Sequence, residues 1–397
     1  MNNKKKLKTQ LIAAITTVII GTSNVSAAPS NQTPLNIDTW QQQRAQGLVN
    51  LPSITPNIMA VNAQNSFPLN HQMRNYDLHE IDSVARLINH PAVASIVVMN
   101  KQGDVMLEHY RDSDRSTIYS DQSSTKSMGY VLLSRALKAG QIQLDDKVES
   151  YLPDIGAGFR GRTVGDVANM AVNHSISELA AYTGDPQALE MFDNDERVIG
   201  LQRNDKRQTL REFASDIDAM GASNQWQGEI ANYATINTNV LMLILEAATE
   251  TPAAQLVREL MHDIGGEKTV FMGTDFEGVP MIGASMMSAS LDFARYGRLL
   301  IEDTNAVKQD IKHAQKEGEV VPAELTNIES RYYKSAIMND YGVGHSGWGG
   351  QLIWADPDSG TIIAINSRIA SELPAPYEHF NKLYQAAYDI IDLLRKP

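Results

Sequence analysis

The sequence is constrained most by residues 119–130, where Ser123 stands three positions before Lys126. No other serine in the chain has a lysine at that spacing. From Met128 to Leu137 the residues are apolar or small apart from Ser134 and Arg135. Lys138 and Gly140 then supply a last-turn cation and a helix stop. The pattern predicts a buried helix with Ser123 at its N-terminus and Lys126 one turn further along the same face.

That placement has chemical content. A serine hydroxyl is a weak nucleophile until a neighbouring base takes its proton. A lysine serves as that base when burial or nearby charge lowers its proton affinity, to a pKa of about 7–8 in tuned cases. The N–H groups of a helix N-terminus point to where an oxyanion would form. Taken alone, the spacing is better read as a capping serine and a lysine that reaches to water. The decision rests on the rest of the chain.

The N-terminus predicts an export signal. Lys4, Lys5, Lys6 and Lys8 form a basic region, Leu11 to Gly21 an apolar core, and Val25-Ser-Ala27 a small-residue cleavage site. The apolar run is too short to span a bilayer, so no membrane anchor is expected after cleavage. With no cysteine, a lipoprotein anchor and disulfides are excluded. The expected address is the periplasm or the medium. Losing residues 1–27, with four lysines and no acids, takes 397 residues to 370 and the net charge from −13 to −17. So acidic a chain is a poor partner for nucleic acid or an anionic membrane surface.

Residues 28–80 are rich in Asn, Gln, Pro and Ser and predict an extended arm, with Trp40, Leu48 and Phe67 as apolar anchors. Asp82 to Ile88 has the spacing of an amphipathic helix. Val93–Met99 and Val105–Tyr110 read as strands around a hairpin loop at Asn100–Gly103, and Ser116–Ser120 as a strand leading to Ser123. Leu144–Pro153 reads as a turn and short helix. Residues 156–285 read as mostly helical, with Thr163 and Asp166 as a capping pair and further helices at Leu210–Ile217 and Val240–Ala248. Asp193–Glu196 reads as a solvated acidic loop rather than a metal site. The last third predicts a helix at Ala289–Ile301, strands at Tyr341–Gly347, Gln351–Ala355 and Thr361–Asn366, a turn at Asp356–Gly360, and a closing helix at Tyr377–Leu394. The expected class is α+β, with one antiparallel sheet built from both chain ends. Its lobe is residues 81–155 and 286–397, and 156–285 is inserted as a mostly helical lobe with the cleft between them.

Several motif matches fail. Gly342–Gly347 satisfies G-x-G-x-x-G, but no helix follows it, so it is not a dinucleotide site. His79–Ser83 lacks the second histidine of a zincin, and none of the nine histidines carries a local triad motif. No metal or cofactor is expected. Two stretches go with Ser123 and Lys126. Tyr233-x-Thr235 puts a phenol and a hydroxyl together ahead of an apolar helix. His345-Ser346-Gly347 sits on a strand and is followed by Trp348-Gly-Gly. Alone, the first is a helix cap with a half-buried tyrosine, and the second a glycine-rich bulge.

In that order, however, the three elements match the penicillin-recognising serine hydrolases. The chain resembles the class C β-lactamase-related family over about residues 75–395, most closely its 6-aminohexanoate-dimer hydrolase and esterase branch. Leu144–Pro153, Thr163–Val167, Tyr233–Leu241 and Leu291–Gly297 carry the likeness further. The resemblance implies a β-lactamase/transpeptidase-like fold and a covalent acyl-enzyme. It implies Ser123 as nucleophile, Lys126 as its proton acceptor or electrostatic partner, and Tyr233 as the proton shuttle to the leaving group. His345 and Ser346 would line the far wall, and the N–H groups of Ser123 and Trp348 would form the oxyanion hole. Thr235 stands where relatives often carry Asn or Ser, and His345 where the lactamases carry Lys. Trp348-Gly-Gly is an alternative register for His345-Ser-Gly.

The expected function is therefore an exported serine hydrolase of a small-molecule amide or ester. A penicillin-binding D-alanyl-D-alanine carboxypeptidase or a lactamase is the alternative within the same mechanism, and a catalytically silent binder of cell-wall fragments the alternative outside it.

Overall fold

The computed structural model describes residues 51–369 and 377–396, apart from 54, 72–76, most of 175–207, and 220–231. The expected signal segment, Trp40, Leu48 and the Asp193–Glu196 loop lie outside these residues. The strands are β1 (Ile58–Val61), β2 (Val93–Asn100), β3 (Val105–Tyr110), β4 (Ile118–Ser120), β5 (Val270–Gly273) and β6 (Met286–Ala289). Then come β7 (Glu319–Val321), β8 (Ser330–Tyr333), β9 (Ala336–Asn339), β10 (Gly342–Gly347), β11 (Gln351–Ala355) and β12 (Thr361–Ser367).

Eight of them form one antiparallel sheet in the order β3-β2-β12-β11-β10-β9-β8-β7, so both halves of the chain do build it. Helices cover both faces, which is why β2 reads as a continuous apolar run rather than an alternating one. Val97 and Met99 pack with Met128, Leu133, Phe293 and Ala294 of the Ser127–Lys138 and Ser290–Leu300 helices. Ile96 and Val98 pack on the other side with Leu383, Tyr384 and Ile391 of the C-terminal helix Tyr377–Leu394. Gly297 lets its helix settle on the sheet: a Cβ there would stand 2.4 Å from Ile362 Cγ2.

The capping pair is present, with Thr163 accepting from Asp166 N and Asp166 accepting from Thr163 N. The hairpin after β2 turns at Gly103, whose φ is +95°. Three features lay beyond the sequence reading, the first being strands β7, β8 and β9 at one edge of the main sheet. A second sheet, ordered β1-β5-β6-β4, draws one strand from the N-terminal arm and another from the stretch read as mostly helical. A further helix spans Thr304–Glu317 ahead of β7. The arm is fastened beyond β1 by Phe67, whose N–H donates to Gly265 O at 2.7 Å and whose ring lies 3.4 Å from the Arg298 guanidinium carbon.

Candidate active site

Strand β4 hydrogen-bonds to β6 and brings the chain to Asp121, whose N–H donates to Met286 O at 2.9 Å. Gln122 then takes a φ of 49°, a left-handed value uncommon outside glycine. The chain enters a 3-10 helix, Gln122–Lys126, that runs directly into the Ser127–Lys138 helix. Ser123 thus sits in a tighter turn than the expected α-helical one. Three residues per turn stack side chains three apart, which sets Ser123 and Lys126 one above the other.

Lys126 is fully buried, while Ser123 is half-buried. Lys126 Nζ donates to Ser123 Oγ at 2.9 Å, to Thr235 Oγ1 at 2.8 Å and to Gly283 O at 2.8 Å. Those contacts match the three donors of an ammonium group. Thr235 is the first residue of the apolar Thr235–Thr249 helix, and one turn on Asn239 Oδ1 accepts from Gly283 N at 2.8 Å. A Cβ on Gly283 would lie 2.5 Å from Thr235 Cγ2, so only glycine brings that carbonyl within reach of the lysine. Gly283 carried no signal in the sequence, while Asn239 lies within the Tyr233–Leu241 stretch that carries the family likeness.

Tyr233 lies next to this cluster, its ring centroid 4.8 Å from Lys126 Nζ. It meets the Tyr332 ring edge-on at 6.3 Å and lies 6.1 Å from the His345 ring. The segment is pinned by Asn232, whose N–H donates to Met170 O and whose side-chain amide donates to Val172 O at 2.6 Å. Beneath it, buried Glu178 accepts from Thr235 N at 2.5 Å through Oε1. Sequence reading missed Glu178, which lies far along the chain from the residues it touches.

The third element is β10. A Cβ on Gly347 would lie 2.6 Å from Asp121 O and 3.1 Å from Ser123 N, so this glycine lets the strand run against the Ser123 turn. A Cβ on Gly350 would instead lie 2.7 Å from His379 Nε2, within the turn Trp348–Gly350 that joins β10 to β11. The segment beside Ser123 is therefore His345–Gly347. Ser124 Oγ fastens it, donating to His345 O at 3.1 Å.

Ser346 requires a correction. It pairs across the strands with Leu352, which packs with the C-terminal helix, whereas His345 pairs with Ile353 on the Ser123 side. Alternation sends the Ser346 side chain to the face away from Ser123, so only its backbone borders the site.

His345 is buried, and its Nδ1 donates to Ser346 O at 2.5 Å. Its Nε2 has no hydrogen-bond partner among the described residues. Burial, then the charge on Lys126, pull its pKa down to about 3, against an upward pull from the Ser346 carbonyl. The ring is neutral at pH 7, with Nε2 as an acceptor. An unfolded chain takes up a proton here below pH 6.5 that the fold withholds, so this contribution is complete above 6.5 and is lost as the pH falls toward 3. Between pH 6.5 and 4.5 the loss is on the order of 2–3 kcal/mol. The drop in thermal midpoint on acidification should accordingly be smaller in His345→Asn than in the unmodified protein. An equal drop in both would contradict the assignment.

A hydroxyl that solvent can reach, 2.9 Å from a buried amine, is arranged for proton transfer and acyl transfer. The comparisons give the family and the fold. The family model described as Beta-lactamase matches residues 89–386, three quarters of the chain. Among solved structures, the fold is similar to that of a Bacillus anthracis protein provisionally named a 6-aminohexanoate-dimer hydrolase, at 18% identity and TM-score 0.73, covering 93% of this chain and 99% of that one. A D-stereospecific amidohydrolase from Streptomyces sp. is similar at 17% identity and TM-score 0.53, covering 75% and 95%. EstCE1, a hydrolase with promiscuous acyltransferase activity, is similar at 13% identity and TM-score 0.55, covering 77% and 98%. No curated protein matches the sequence significantly. The chain has the β-lactamase/transpeptidase-like α+β fold and belongs to the Beta-lactamase family of serine hydrolases.

Proposed function

We propose that the protein is an exported hydrolase of small esters or linear amides that works through an acyl-enzyme on Ser123. The observation that carries this reading is the 2.9 Å contact between Ser123 Oγ and the fully buried Lys126 Nζ. In its neutral form Lys126 takes the Ser123 proton as Oγ attacks the carbonyl carbon. The Tyr233 phenol passes a proton to the leaving group and is reprotonated from Lys126, and water then attacks the acyl carbon, releasing the carboxylic acid and returning a proton to Ser123. The N–H groups of Ser123 and Trp348 receive the developing oxyanion, since the Gly347–Trp348 peptide runs beside the Ser123 turn. Residues 1–27 direct export, so the work is done in the periplasm or outside the cell. The substrate lies between the sheet lobe and the lobe formed by residues 156–285.

Substrate charge follows from His345. A lysine at that position would be a fixed cation suited to a carboxylate, whereas a neutral imidazole offers only an acceptor. Trp348, half-buried at the turn, adds an apolar face. Esters and linear amides with an apolar acyl part should therefore be turned over well and a chromogenic cephalosporin poorly. His345→Lys should raise the cephalosporin-to-ester ratio of kcat/KM by about 10–100-fold, the value of one charged hydrogen bond. Efficient cephalosporin hydrolysis by the unmodified protein, with esters and amides untouched, would mark a lactamase instead.

A further inference from the structure

We propose that Asp121 is a positioning residue, which holds the Ser123 turn in place as an uncharged carboxylic acid. This deepens the Ser123 reading above and rests on it. Asp121 opens the turn at the point where the two sheets meet. Its N–H donates to Met286 O of β6, and its carbonyl accepts from Ser124 N at 3.1 Å. The same carbonyl oxygen is the atom that a Cβ on Gly347 of β10 would meet first. The side chain is fully buried. There Oδ2 meets Ser288 Oγ of β6 at 2.7 Å, while Oδ1 has no hydrogen-bond partner among the described residues.

The surroundings do not favour a charge on this carboxyl group. No cation pairs with it among the described residues. Asn366 of β12 is near enough to pull the group back toward ionisation, but it is already engaged. Its amide donates to Gln351 Oε1 at 3.0 Å, and its carbonyl accepts from Ser290 at 2.9 Å and Ser95 at 3.2 Å. On the Ser290–Leu300 helix, the Tyr296 phenol is pushed up by burial, keeps its proton and meets Ser127 Oγ at 2.7 Å. Tyr119, two residues earlier on β4, is likewise pushed up by burial, and His345 is neutral for the reasons given above. A carboxylate stays ionised in such a place when two or three donors or a cation hold it. Here it has one hydroxyl. As an acid it keeps the Ser288 contact through Oδ2 and leaves Oδ1 as a carbonyl oxygen, which costs far less without a partner than an ionised oxygen does. Burial accordingly raises this carboxyl well above the usual range, against the pulls of Ser288 and Asn366. The group thus ties the Ser123 turn to β6 without placing a charge two residues from the nucleophile.

Two measurements on the full chain test this: the thermal midpoint against pH, and the rate of fluorophosphonate labelling at Ser123. An unfolded chain gives up the Asp121 proton near pH 3.8 and the fold keeps it, so the fold loses stability as the pH rises from there toward the folded value. Asp121→Asn has the shape of the acid and no proton to lose. Its midpoint should therefore gain on that of the unmodified protein by about 2 °C per pH unit between pH 5 and 7. Its labelling rate should stay near that of the unmodified protein, whereas Asp121→Ala, which lets the turn slip, should label about 10–100-fold more slowly. An Asp121→Asn midpoint that stays level with the unmodified protein or falls behind it as the pH rises marks an ionised carboxylate and overturns the proposal. So does a folded Asp121→Ala that labels at the unmodified rate, or an Asp121→Asn as slow as Asp121→Ala. If Asp121→Ala does not fold, Ser288→Ala decides, since it leaves the carboxyl in place without its partner: slower labelling supports the positioning role and an unmoved rate overturns it. Failure of the unmodified protein to label at Ser123 would instead remove the acyl-enzyme reading, and the positioning role with it, whatever the midpoints show.

Discussion

Lys126→Met should lower kcat/KM by about 10³–10⁶ while the protein remains folded. Losses of that size follow removal of one member of a nucleophile–base pair, because the remaining members act only as a unit. Methionine suits the test because it is unbranched, close in volume and flexible enough to fill the fully buried lysine channel. Thr235 Oγ1 and Gly283 O each lose a donor, but the Thr235 hydroxyl can turn to serve the carbonyl, and a buried charge is removed from the core. Melting curves should therefore stay close to those of the unmodified protein while steady-state turnover collapses. Turnover within tenfold of the original in a folded variant would make Lys126 a structural lysine.

Tyr233→Phe should be the next most damaging change, lowering kcat by about 10²–10⁴, the usual worth of a general acid or base. The ring contacts with Lys126, Tyr332 and His345 survive in phenylalanine, and the Asn232 bonds to Met170 and Val172 hold the segment as before. What disappears is the phenolic proton. The defect should then depend on the leaving group. A linear amide, whose departing nitrogen must be protonated, should suffer most. A p-nitrophenyl ester, whose phenolate leaves without a proton, should suffer least. An equal loss on both substrates would indicate a change in binding or packing and would demote Tyr233 from the proton path.

The sequence made legible those features whose signal is local and long. The closing helix Tyr377–Leu394 has the predicted bounds because its apolar stripe repeats over many turns. The Thr163–Asp166 cap needs only two residues at fixed spacing. Ser123 and Lys126 could be paired from sequence because a single turn brings them together. Of the second sheet only β4 was legible, as the strand leading to Ser123; β1, β5 and β6 have four residues each, too few for alternation to show. Gly283 and Glu178 were out of reach for another reason. Each meets its partners only across a long span of chain, Gly283 giving a carbonyl to Lys126 and Glu178 a carboxyl to Thr235 N. Ser346 was assigned to the site as part of a contiguous motif, but a strand shows alternate residues to opposite faces, and the motif did not say which face Ser346 would take.

The central claim is that Ser123 is the acyl-accepting atom, and intact-protein and peptide mass spectrometry after fluorophosphonate treatment tests it most directly. A single adduct on the peptide that contains Ser123, absent from Ser123→Ala, is the predicted result. An adduct on Ser346 or another residue, or no adduct on a folded and substrate-competent protein, would contradict it.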